Sequence, residues 1–314
     1  MILYLVIPCY KEQEVLSETA MRLKQKMQNL IDSKKITQNS KILFVNDGSD
    51  DNTWQIIRDL YEQDLLFSGV NLACNRGHQN ALIAGLMVAK DHADVIISMD
   101  ADLQDDINAI DEMLENFKSG DDIVYGVRSK RTTDTRFKRA TAEAFYKLLK
   151  QLGVDIVFNH ADYRLMSKRA LEGLDEFKEY NLFLRGLVPM IGYKSSTVEY
   201  ARAERFAGET KYPLKKMVSF ALEGITSLSI KPIRMIAVVG FVSFLFGFIM
   251  LIYFFISYLS GDIEAGWPSL FVSIWAIGGL QLLSIGVIGE YIGKIYIEVK
   301  NRPRYIIESI LIRN

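Results

Sequence analysis

The sequence predicts an α/β domain with a mostly parallel sheet, followed by two helices that cross a membrane. Three observations support this prediction. Short apolar runs alternate with amphipathic helical patterns in the amino-terminal part of the 314-residue chain. A polar cluster follows each of those runs, and two long uncharged segments lie near the carboxyl terminus. Alternating strands and helices are typical of βαβ units, whose strands are parallel.

The predicted strands are short runs rich in Val, Ile and Leu, and patterns with helical spacing of apolar residues lie between them. The predicted strands are Leu3–Ile7, Ile42–Val45, Val70–Leu72, Val95–Met99 and Ile123–Tyr125. The predicted helices are Val15–Ile31, Trp54–Tyr61, Asn80–Lys90 and Ile107–Phe117. This order indicates a doubly wound sheet.

Polar segments follow all five predicted strands. Ligands of such sheets bind outside the carboxyl ends of the strands, so these segments are candidates for one binding site. They are Pro8–Glu12, Asn46–Asp51, Asn75–Gln79, Asp100–Asp105 and Gly126–Arg128.

The segment after the fourth strand is the most informative. Asp100 and Asp102 are two residues apart at the end of an apolar run, so both side chains can point the same way. Crowded carboxylates are unfavourable without a cation, and Mg²⁺ or Mn²⁺ favours carboxylate and phosphate oxygens. The spacing therefore indicates a metal-bound diphosphate. The alternative is that Asp102 and Asp105 only begin the helix that follows.

Two uncharged segments, Met235–Gly261 and Ala265–Gly289, are each longer than the ~20 residues that an α-helix needs to cross a bilayer. Two buried helices of a soluble protein are the alternative, which the length and uniformity of the segments disfavour. The connection Ser260–Pro268 contains Asp262 and Glu264 but no Lys or Arg, whereas both outer flanks are basic. The positive-inside rule therefore predicts that both termini are cytoplasmic.

The sequence divides into four regions. Residues 1–212 are the predicted soluble domain, and residues 232–293 are the two predicted transmembrane helices. Residues 213–231 combine apolar positions with Lys215 and Lys216, which predicts an amphipathic helix on the membrane surface. Packing of this helix against the soluble domain is the alternative. Residues 294–314 form a tail in which Tyr305–Ile307 is strand-like and suited to pairing between subunits.

Charge, cysteine content and glycine spacing exclude several classes of function. The net charge of −1 gives no general affinity for nucleic acid. Cys9 and Cys74 lack the spacing of a metal site and are ordinary thiols in a reducing setting. The chain has no G-x-G-x-x-G after the first strand and no G-x-x-x-x-G-K-[ST]. The usual dinucleotide-binding and P-loop NTPase classes therefore lack their phosphate-binding loops.

Five motifs, taken in order, resemble those of glycosyltransferase family 2, which has the GT-A nucleotide-sugar transferase fold. Val6–Glu12, Val45–Ser49 and Asp100–Gln104 resemble motifs of the whole family. Asp162–Met166 and Asn181–Gly186 are similar to the polyprenyl-phosphate branch, which includes dolichyl-phosphate mannose synthase and the GtrB-like bacterial enzymes. The resemblance covers nearly the whole chain.

This resemblance implies an inverting, metal-dependent transfer of one sugar from a nucleotide-diphosphate donor, with UDP-glucose favoured, to undecaprenyl phosphate. It implies a multi-pass protein of the bacterial inner membrane that serves the cell envelope and whose catalytic domain, residues 1–212, is cytoplasmic. The implied partners are the nucleotide sugar, the polyprenyl phosphate, the bilayer and further copies of the chain, including a tetramer.

The resemblance also implies roles for single residues. The residues implied to bind the nucleotide sugar are Pro8, Tyr10, Glu12, Asp47, Asp100, Arg205 and Lys211. Those implied to hold Mg²⁺ or Mn²⁺ are Asp100, Asp102 and Gln104, and those for the acceptor phosphate are Arg128 and Arg139. The implied catalytic residues are Asp102, Asp162 and Arg164. A phosphate monoester is already anionic near neutral pH, so Asp162 and Arg164 are expected to orient substrates rather than remove a proton.

Simpler structural roles remain open for these residues. Asn46–Ser49 is favourable turn chemistry by itself, and Asp162 with Arg164 can form a purely structural ion pair. Arg128 can lie on a solvated charged face, and the loop containing Arg205 can be attracted to anionic lipid.

Other functions remain alternatives to the transfer of one sugar to a polyprenyl phosphate. A processive enzyme that extends a polysaccharide usually has a Q-x-x-R-W motif and more membrane spans, which this sequence lacks. An inactive sensor or scaffold would be expected to lack a metal ligand, whereas Asp100, Asp102 and Gln104 are all present.

Two positions depart from the family pattern: Lys11 replaces the usual Asn, and Arg76 stands where an aromatic residue is commoner.

Overall fold

The computed structural model describes residues 1–128, 160–180, 183–201, 226, 229, 231–259 and 267–313. The chain divides into two units. The first comprises Met1–Lys147, Asp155–Pro213 and Arg302–Asn314, and the second comprises Leu148–Val154 and Leu214–Asn301. A sheet with its surrounding helices belongs to the first unit, and two long helices belong to the second.

The described residues of the first unit form an eight-stranded sheet. Its strands are β1 (Leu3–Cys9), β2 (Lys41–Asn46), β3 (Phe67–Leu72), β4 (Val95–Ser98), β5 (Ile123–Arg128), β6 (His160–Ser167), β7 (Ser195–Tyr200) and β8 (Ile307–Leu311). Their order across the sheet is β7-β5-β6-β4-β1-β2-β3-β8. Strand β6 is antiparallel to β4 and β5, and β8 is antiparallel to β3, whereas the other neighbours are parallel. The prediction of a mostly parallel α/β sheet is confirmed.

Six helices accompany the sheet in the described part of the first unit. They are α1 (Leu16–Asp32), α2 (Thr53–Gln63), α3 (His78–Lys90), α4 (Ala109–Lys118), α5 (Lys168–Asp175) and α6 (Leu184–Met190). The first four match the four helices that the sequence predicts. Helix α4 begins at Ala109, two residues beyond the predicted start at Ile107. Asp102 and Asp105 therefore lie in the loop before α4 rather than at its first turn.

The five predicted strands correspond to β1–β5, because fully buried parallel strands are continuous apolar runs that are visible in the sequence. All seven residues of β1 and all six of β2 are buried. The sequence did not predict β6 or β7. Strand β6 contains His160, Asp162 and Arg164, and β7 is half-exposed and polar, so neither has an apolar run.

Helix α3 packs against the centre of the sheet through a glycine. A Cβ atom added to Gly85 would lie 2.5 Å from Val45 Cγ2 and 2.6 Å from Val6 Cγ1. The backbone of α3 therefore lies directly on β1 and β2, with Ala81, Ala84 and other buried residues beside Gly85. This contact also fixes the amino end of α3, where His78 is the first residue.

Strand β8 follows the second long helix in the sequence but pairs with β3 of the same chain. Val70 faces Ile310 and Asn71 faces Ser309, with an irregularity between Asn71 and Leu72. The Ala73 backbone N–H extends the pairing by donating to Ile306 O at 3.0 Å. The tail thus supplies one edge of the first unit's sheet.

The second unit contains the helices α7 (Lys231–Leu259) and α8 (Trp267–Val299) in its described residues. Within it, the Tyr291 hydroxyl donates to Ser229 O at 2.5 Å, and Lys294 Nζ contacts Thr226 Oγ1 at 2.5 Å. One described segment, Ala276–Val299, is long and apolar enough to cross a membrane. The predicted amphipathic helix, residues 213–231, lies almost wholly outside the described residues.

We expect Gly85→Ala to destabilise the chain, because the added methyl group meets two β-branched side chains that cannot move aside without shifting the sheet. The expected loss in the free energy of unfolding is about 1–3 kcal/mol, measured by urea unfolding of the full chain in detergent. The control is Val88→Ala on the same helix, which is half-buried and removes atoms instead of adding them. An unchanged midpoint for Gly85→Ala would show that α3 does not depend on this close approach.

Candidate active site

The antiparallel direction of β6 positions Asp162 at the carboxyl edge of the sheet. Arg164 of β6 faces Ser98 at the end of β4 and Tyr125 of β5. The amino end of β6 therefore lies beside the carboxyl ends of its two neighbours. The Ser98 hydroxyl fixes this register by donating to Asp162 O at 2.6 Å.

The loop after β4 carries the acidic residues that the sequence analysis selected. Leu103 adopts φ +57°, in the left-handed region that costs energy for a residue with a Cβ. The turn allows Gln104 N to donate to Asp102 Oδ1 at 3.2 Å. The Ala101 carbonyl also accepts from Thr19 Oγ1 at 2.8 Å, which ties the loop to α1. Asp100, Asp102 and Gln104 thus belong to one tightly folded loop.

His78 lies between two carboxylates that are far apart in the sequence. Its Nε2 atom is 3.6 Å from Asp100 Oδ1 and 3.6 Å from Asp162 Oδ2. Partial desolvation alone would lower the pKa of His78, but the nearby carboxylates of Asp162 and Asp100 outweigh it and raise that pKa. His78 belongs to the polar segment Asn75–Gln79, but its residue type and spacing predict no role for it. Its position at the start of α3, directly after Gly77, was the available signal.

The Asp162 carboxylate forms ion pairs with two arginines. Its Oδ1 atom accepts from Arg164 Nη2 at 2.9 Å, and its Oδ2 lies 3.4 Å from Arg185 Nη2. Burial tends to raise the pKa of Asp162, but His78, Arg185 and Arg164 together hold it well below its usual range. Desolvation lowers the pKa of Arg164, whose side chain is only 2% exposed. Asp162 is therefore an anion that the buried Arg164 requires. Arg185 at the start of α6 was not predicted as a site residue, although it lies within the motif Asn181–Gly186.

Crowding of carboxylates affects Asp100 and Asp105. Burial raises the pKa of Asp100 to about 6, and Asp105, Asp162 and Asp102 add to the rise while His78 opposes it. Burial also raises the pKa of Asp105. A cation beside Asp100 would remove this repulsion, so the donor set fits a divalent metal.

The described residues contain no group of three or more His, Cys, Asp or Glu side chains arranged to hold a metal by themselves. Mg²⁺ typically uses one or two protein carboxylates and completes its shell with substrate phosphates and water. Asp100, Asp102 and the Gln104 amide therefore fit a metal that binds together with a diphosphate, not one held by the protein alone.

Arg128 is linked to the same acidic loop through Tyr200. The Tyr200 hydroxyl donates to Asp105 Oδ1 at 2.6 Å, and Arg128 Nε lies 3.4 Å from that hydroxyl. The Tyr200 ring packs edge-on against Tyr163, whose hydroxyl donates to Asp106 O at 3.0 Å. Arg128, which the sequence assigned to the acceptor phosphate, is thus a half-buried cation close to Asp105. Tyr200 of β7 had no predicted role.

The loops after β1, β2 and β3 form a second part of the sheet edge. Asp47 is buried, and its two oxygens accept from the backbone N–H groups of Arg76 at 2.7 Å and Gly77 at 2.9 Å. Burial raises the pKa of Asp47, and these two hydrogen bonds oppose the rise. Gly48 has φ +60°, and a Cβ there would lie 2.5 Å from Asn75 N. The second and third loops are therefore locked together at their backbones.

The loop after β1 is joined to the loop after β2. Lys11 N donates to Ser49 Oγ at 3.0 Å, and Glu12 N donates to Thr53 Oγ1 at 3.0 Å. Lys11 Nζ forms an exposed ion pair with Asp50 at 2.8 Å. Pro8 is buried within β1 and Tyr10 is 44% exposed. Pro8, Tyr10, Glu12 and Asp47 consequently lie at the ends of two adjacent parallel strands.

Three site residues proposed from the sequence lie outside the described residues. They are Arg139, Arg205 and Lys211. The same holds for the first two residues of the motif Asn181–Gly186.

The profile of Glycosyl transferase family 2 matches residues 4–175. Uncharacterized glycosyltransferase YkoT of Bacillus subtilis (strain 168) is 54% identical over 307 residues, which are 98% of this chain and 91% of that protein. SfII prophage-derived bactoprenol glucosyl transferase of Shigella flexneri is 45% identical over 276 residues, 86% of this chain and 87% of that protein. The solved mannosyl-3-phosphoglycerate synthase from Rubrobacter xylanophilus has a TM-score of 0.49 at 14% identity and covers 75% of this chain and 74% of that chain.

We expect Asp162→Asn to destabilise the chain, since it leaves the buried Arg164 without its balancing anion. Loss of one partner of a buried ion pair costs about 3–5 kcal/mol, measured here as a shift in urea unfolding of the full chain. Asp175→Asn is the matched control, because the Asp175 carboxylate, which pairs with Lys90 and Lys178, is 43% exposed. Ion pairs at the surface contribute at most about 1 kcal/mol to stability. Equal effects of the two substitutions would argue against a structural dependence on the Asp162–Arg164 pair.

Proposed function

The chain belongs to glycosyltransferase family 2, and from that premise we propose that it transfers glucose from UDP-glucose to undecaprenyl phosphate with inversion at the anomeric carbon. The relatives named bactoprenol glucosyl transferase support the lipid acceptor and the sugar. The crowded carboxylates of the loop after β4, beside the cations of Arg128 and Arg185, support a reaction that brings together a metal-bound diphosphate and a second phosphate.

The proposed reaction is a single displacement. One oxygen of the lipid phosphate forms a bond to the anomeric carbon while the bond from that carbon to the UDP oxygen breaks, and UDP leaves with the electron pair. Attack from the face opposite UDP inverts the configuration. The acceptor is anionic before it reacts, so no side chain has to remove a proton from it. The protein's task is to orient two phosphates that repel each other.

Asp100, Asp102 and Gln104 are the residues that would hold Mg²⁺ or Mn²⁺ with the donor diphosphate. When bound, the metal would neutralise the charge that develops on the leaving UDP. His78 and Asp162 would hold the Asp100 carboxylate in place, given the contacts of His78 with both carboxylates. The loops after β1 and β2, with Tyr10 and Asp47, would bind the nucleoside.

Arg128 and Arg185 are the described arginines best suited to the lipid phosphate. Arg128 lies 3.4 Å from the Tyr200 hydroxyl that donates to Asp105, and Arg185 is partly exposed while it contacts Asp162. Arg164, which is buried against Asp162, would act by fixing Asp162 rather than by touching the acceptor. Arg139, Arg205 and Lys211 remain proposed ligands of the acceptor and donor phosphates on the basis of the motif resemblance.

A long lipid acceptor lies in the bilayer, so the role of the second unit would be to anchor the chain there. We propose that α7 and α8 are transmembrane helices, with the catalytic domain and both termini in the cytoplasm. The apolar segment Ala276–Val299 supports one span, and the absence of charged residues from Met235 to Gly261 supports the other.

A donor screen tests the proposal directly. Purified full-length chain in detergent is incubated with undecaprenyl phosphate and each of several UDP- and GDP-sugars, and release of nucleoside diphosphate is measured. We expect turnover with UDP-glucose that depends on added Mg²⁺ or Mn²⁺ and stops with EDTA. Turnover only with a polysaccharide acceptor would favour a chain-extending enzyme, and no turnover with any pair would favour a scaffold.

We expect Asp102→Asn to lower kcat by at least about 100-fold without loss of folding, because it removes a charged metal ligand and preserves side-chain size. Asp106→Asn is the control: this residue lies in the same loop, and its Oδ1 only accepts from Asn108 N. Near-normal turnover of Asp102→Asn at saturating Mg²⁺ would contradict the metal assignment.

We expect Arg128→Ala to raise the KM for undecaprenyl phosphate much more than the KM for UDP-glucose. Truncation of one partner of a desolvated charge pair costs about 2–5 kcal/mol, or roughly 30-fold to several thousandfold in affinity. Arg128→Lys should restore binding only in part, since an ammonium group cannot make the bidentate contact of a guanidinium. A selective rise in the KM for UDP-glucose would instead assign Arg128 to the donor diphosphate.

A further inference from the structure

A line of side-chain hydrogen bonds runs from the carboxyl-terminal strand to the loop after β2, entirely within the first unit. Asn71 Nδ2 donates to Glu308 Oε2 at 2.6 Å. Asn46 Nδ2 donates to Asn71 Oδ1 at 2.7 Å, and Ser49 N donates to Asn46 Oδ1 at 3.3 Å. Asn46 and Asn71 are buried, whereas Glu308 lies at the exposed edge of β8.

The Glu308 carboxylate determines which way round the two asparagine amides in this line are oriented. An ionised carboxylate only accepts hydrogen bonds, whereas an asparagine amide has a donor end and an acceptor end of nearly equal shape. Glu308 therefore requires the NH₂ end of Asn71, which turns the Asn71 oxygen towards Asn46. The Asn46 NH₂ group is then used by Asn71, and the Asn46 oxygen is left to accept from Ser49 N.

Ser49 connects this line to the other loops at the sheet edge. Its hydroxyl accepts from Lys11 N at 3.0 Å, and Lys11 has φ +57°. A Cβ atom added to its neighbour Gly48 would lie 2.5 Å from both Asn75 N and Cys74 C. Because these loops touch at their backbones, a change at Ser49 cannot be absorbed locally.

We propose that Glu308 is a positioning residue for donor binding: its carboxylate orients Asn71 and Asn46 and thereby holds the loop Asn46–Ser49 in the shape that receives the nucleotide. The identity of the nucleotide rests on the proposed function, but the orientation of the loop by Glu308 does not. Strand β8 follows α8 in the sequence, so residues beyond the long helices contribute to the donor site in the first unit.

Two substitutions of Glu308 test the direction of the line. Glu308→Gln retains an acceptor oxygen and should behave like the wild type. Glu308→Lys offers only donors, so Asn71 must turn its oxygen towards the lysine, and the Asn46 oxygen is drawn away from Ser49. Ile310→Lys is the matched control, because it places the same cation on the same exposed strand, at a residue that faces Val70 and not Asn71.

Hydrogen exchange and kinetics provide two independent measurements on the full chain in detergent. Without ligand, exchange of the peptide that contains Ser49 should be faster in Glu308→Lys than in the wild type, Glu308→Gln or Ile310→Lys. With undecaprenyl phosphate as acceptor, the KM for UDP-glucose should rise about three- to tenfold in Glu308→Lys alone. The kcat and the KM for the lipid should not change, which a general loss of structure would not produce.

Unchanged exchange at Ser49 in Glu308→Lys would overturn the proposal, as would faster exchange with an unchanged KM for UDP-glucose. Equal effects of Ile310→Lys would also overturn it, because the cause would then be the added charge on β8. A wild type that does not turn over UDP-glucose would instead count against the proposed function, and the exchange measurement would decide the role of Glu308 by itself.

Discussion

The buried ion pair between Asp162 and Arg164 is the interaction on which the candidate active site at the carboxyl edge of the sheet depends. Arg164 lies in the middle of β6, between β4 and β5, where its charge has almost no access to water. Such a charge is tolerated only with a balancing anion, and Asp162, two residues away on the same face, supplies it at 2.9 Å. The pair thereby keeps an anion at the carboxyl ends of β4 and β5. His78 and Arg185 then gather around that anion.

Opposite pKa shifts of two nearby carboxyl groups follow from this arrangement. Asp162 is surrounded by His78, Arg164 and Arg185, which hold its pKa low despite burial. Desolvation, with smaller contributions from Asp105, Asp162 and Asp102, raises the pKa of Asp100 to about 6 although His78 opposes the rise. Two arginines and His78 thus surround the Asp162 carboxylate, whereas Asp100 faces His78 together with three other carboxylates. This difference separates a structural anion from a carboxylate suited to a metal and a diphosphate.

The two antiparallel strands, β6 inside the sheet and β8 at its edge, have a similar task in this fold. The antiparallel β6 brings Asp162 to the loop after β4, while the antiparallel β8 brings Glu308 to Asn71 on the other side. Both strands lack a strong apolar run and are inserted or added next to strands that have one. Each delivers an acidic side chain that organises polar groups of its parallel neighbour. The parallel strands therefore form most of the buried core, and the two antiparallel strands bring acidic side chains to the polar groups beside it.

The sequence by itself determined the five parallel strands, their helices and the polar segments that follow them, because burial on both faces imposes continuous apolar runs and the motifs are contiguous. It also identified Asp100, Asp102, Asp162, Arg164 and Arg128 as site candidates. It missed His78, Arg185 and Tyr200, and it suggested an intersubunit partner for the strand-like tail where the structure pairs β8 with β3 of the same chain. These features were decided by tertiary structure. Pairing at a sheet edge uses backbone hydrogen bonds, which leave little trace in side-chain patterns, and the convergence of residues 78, 100 and 162 depends on the antiparallel entry of β6.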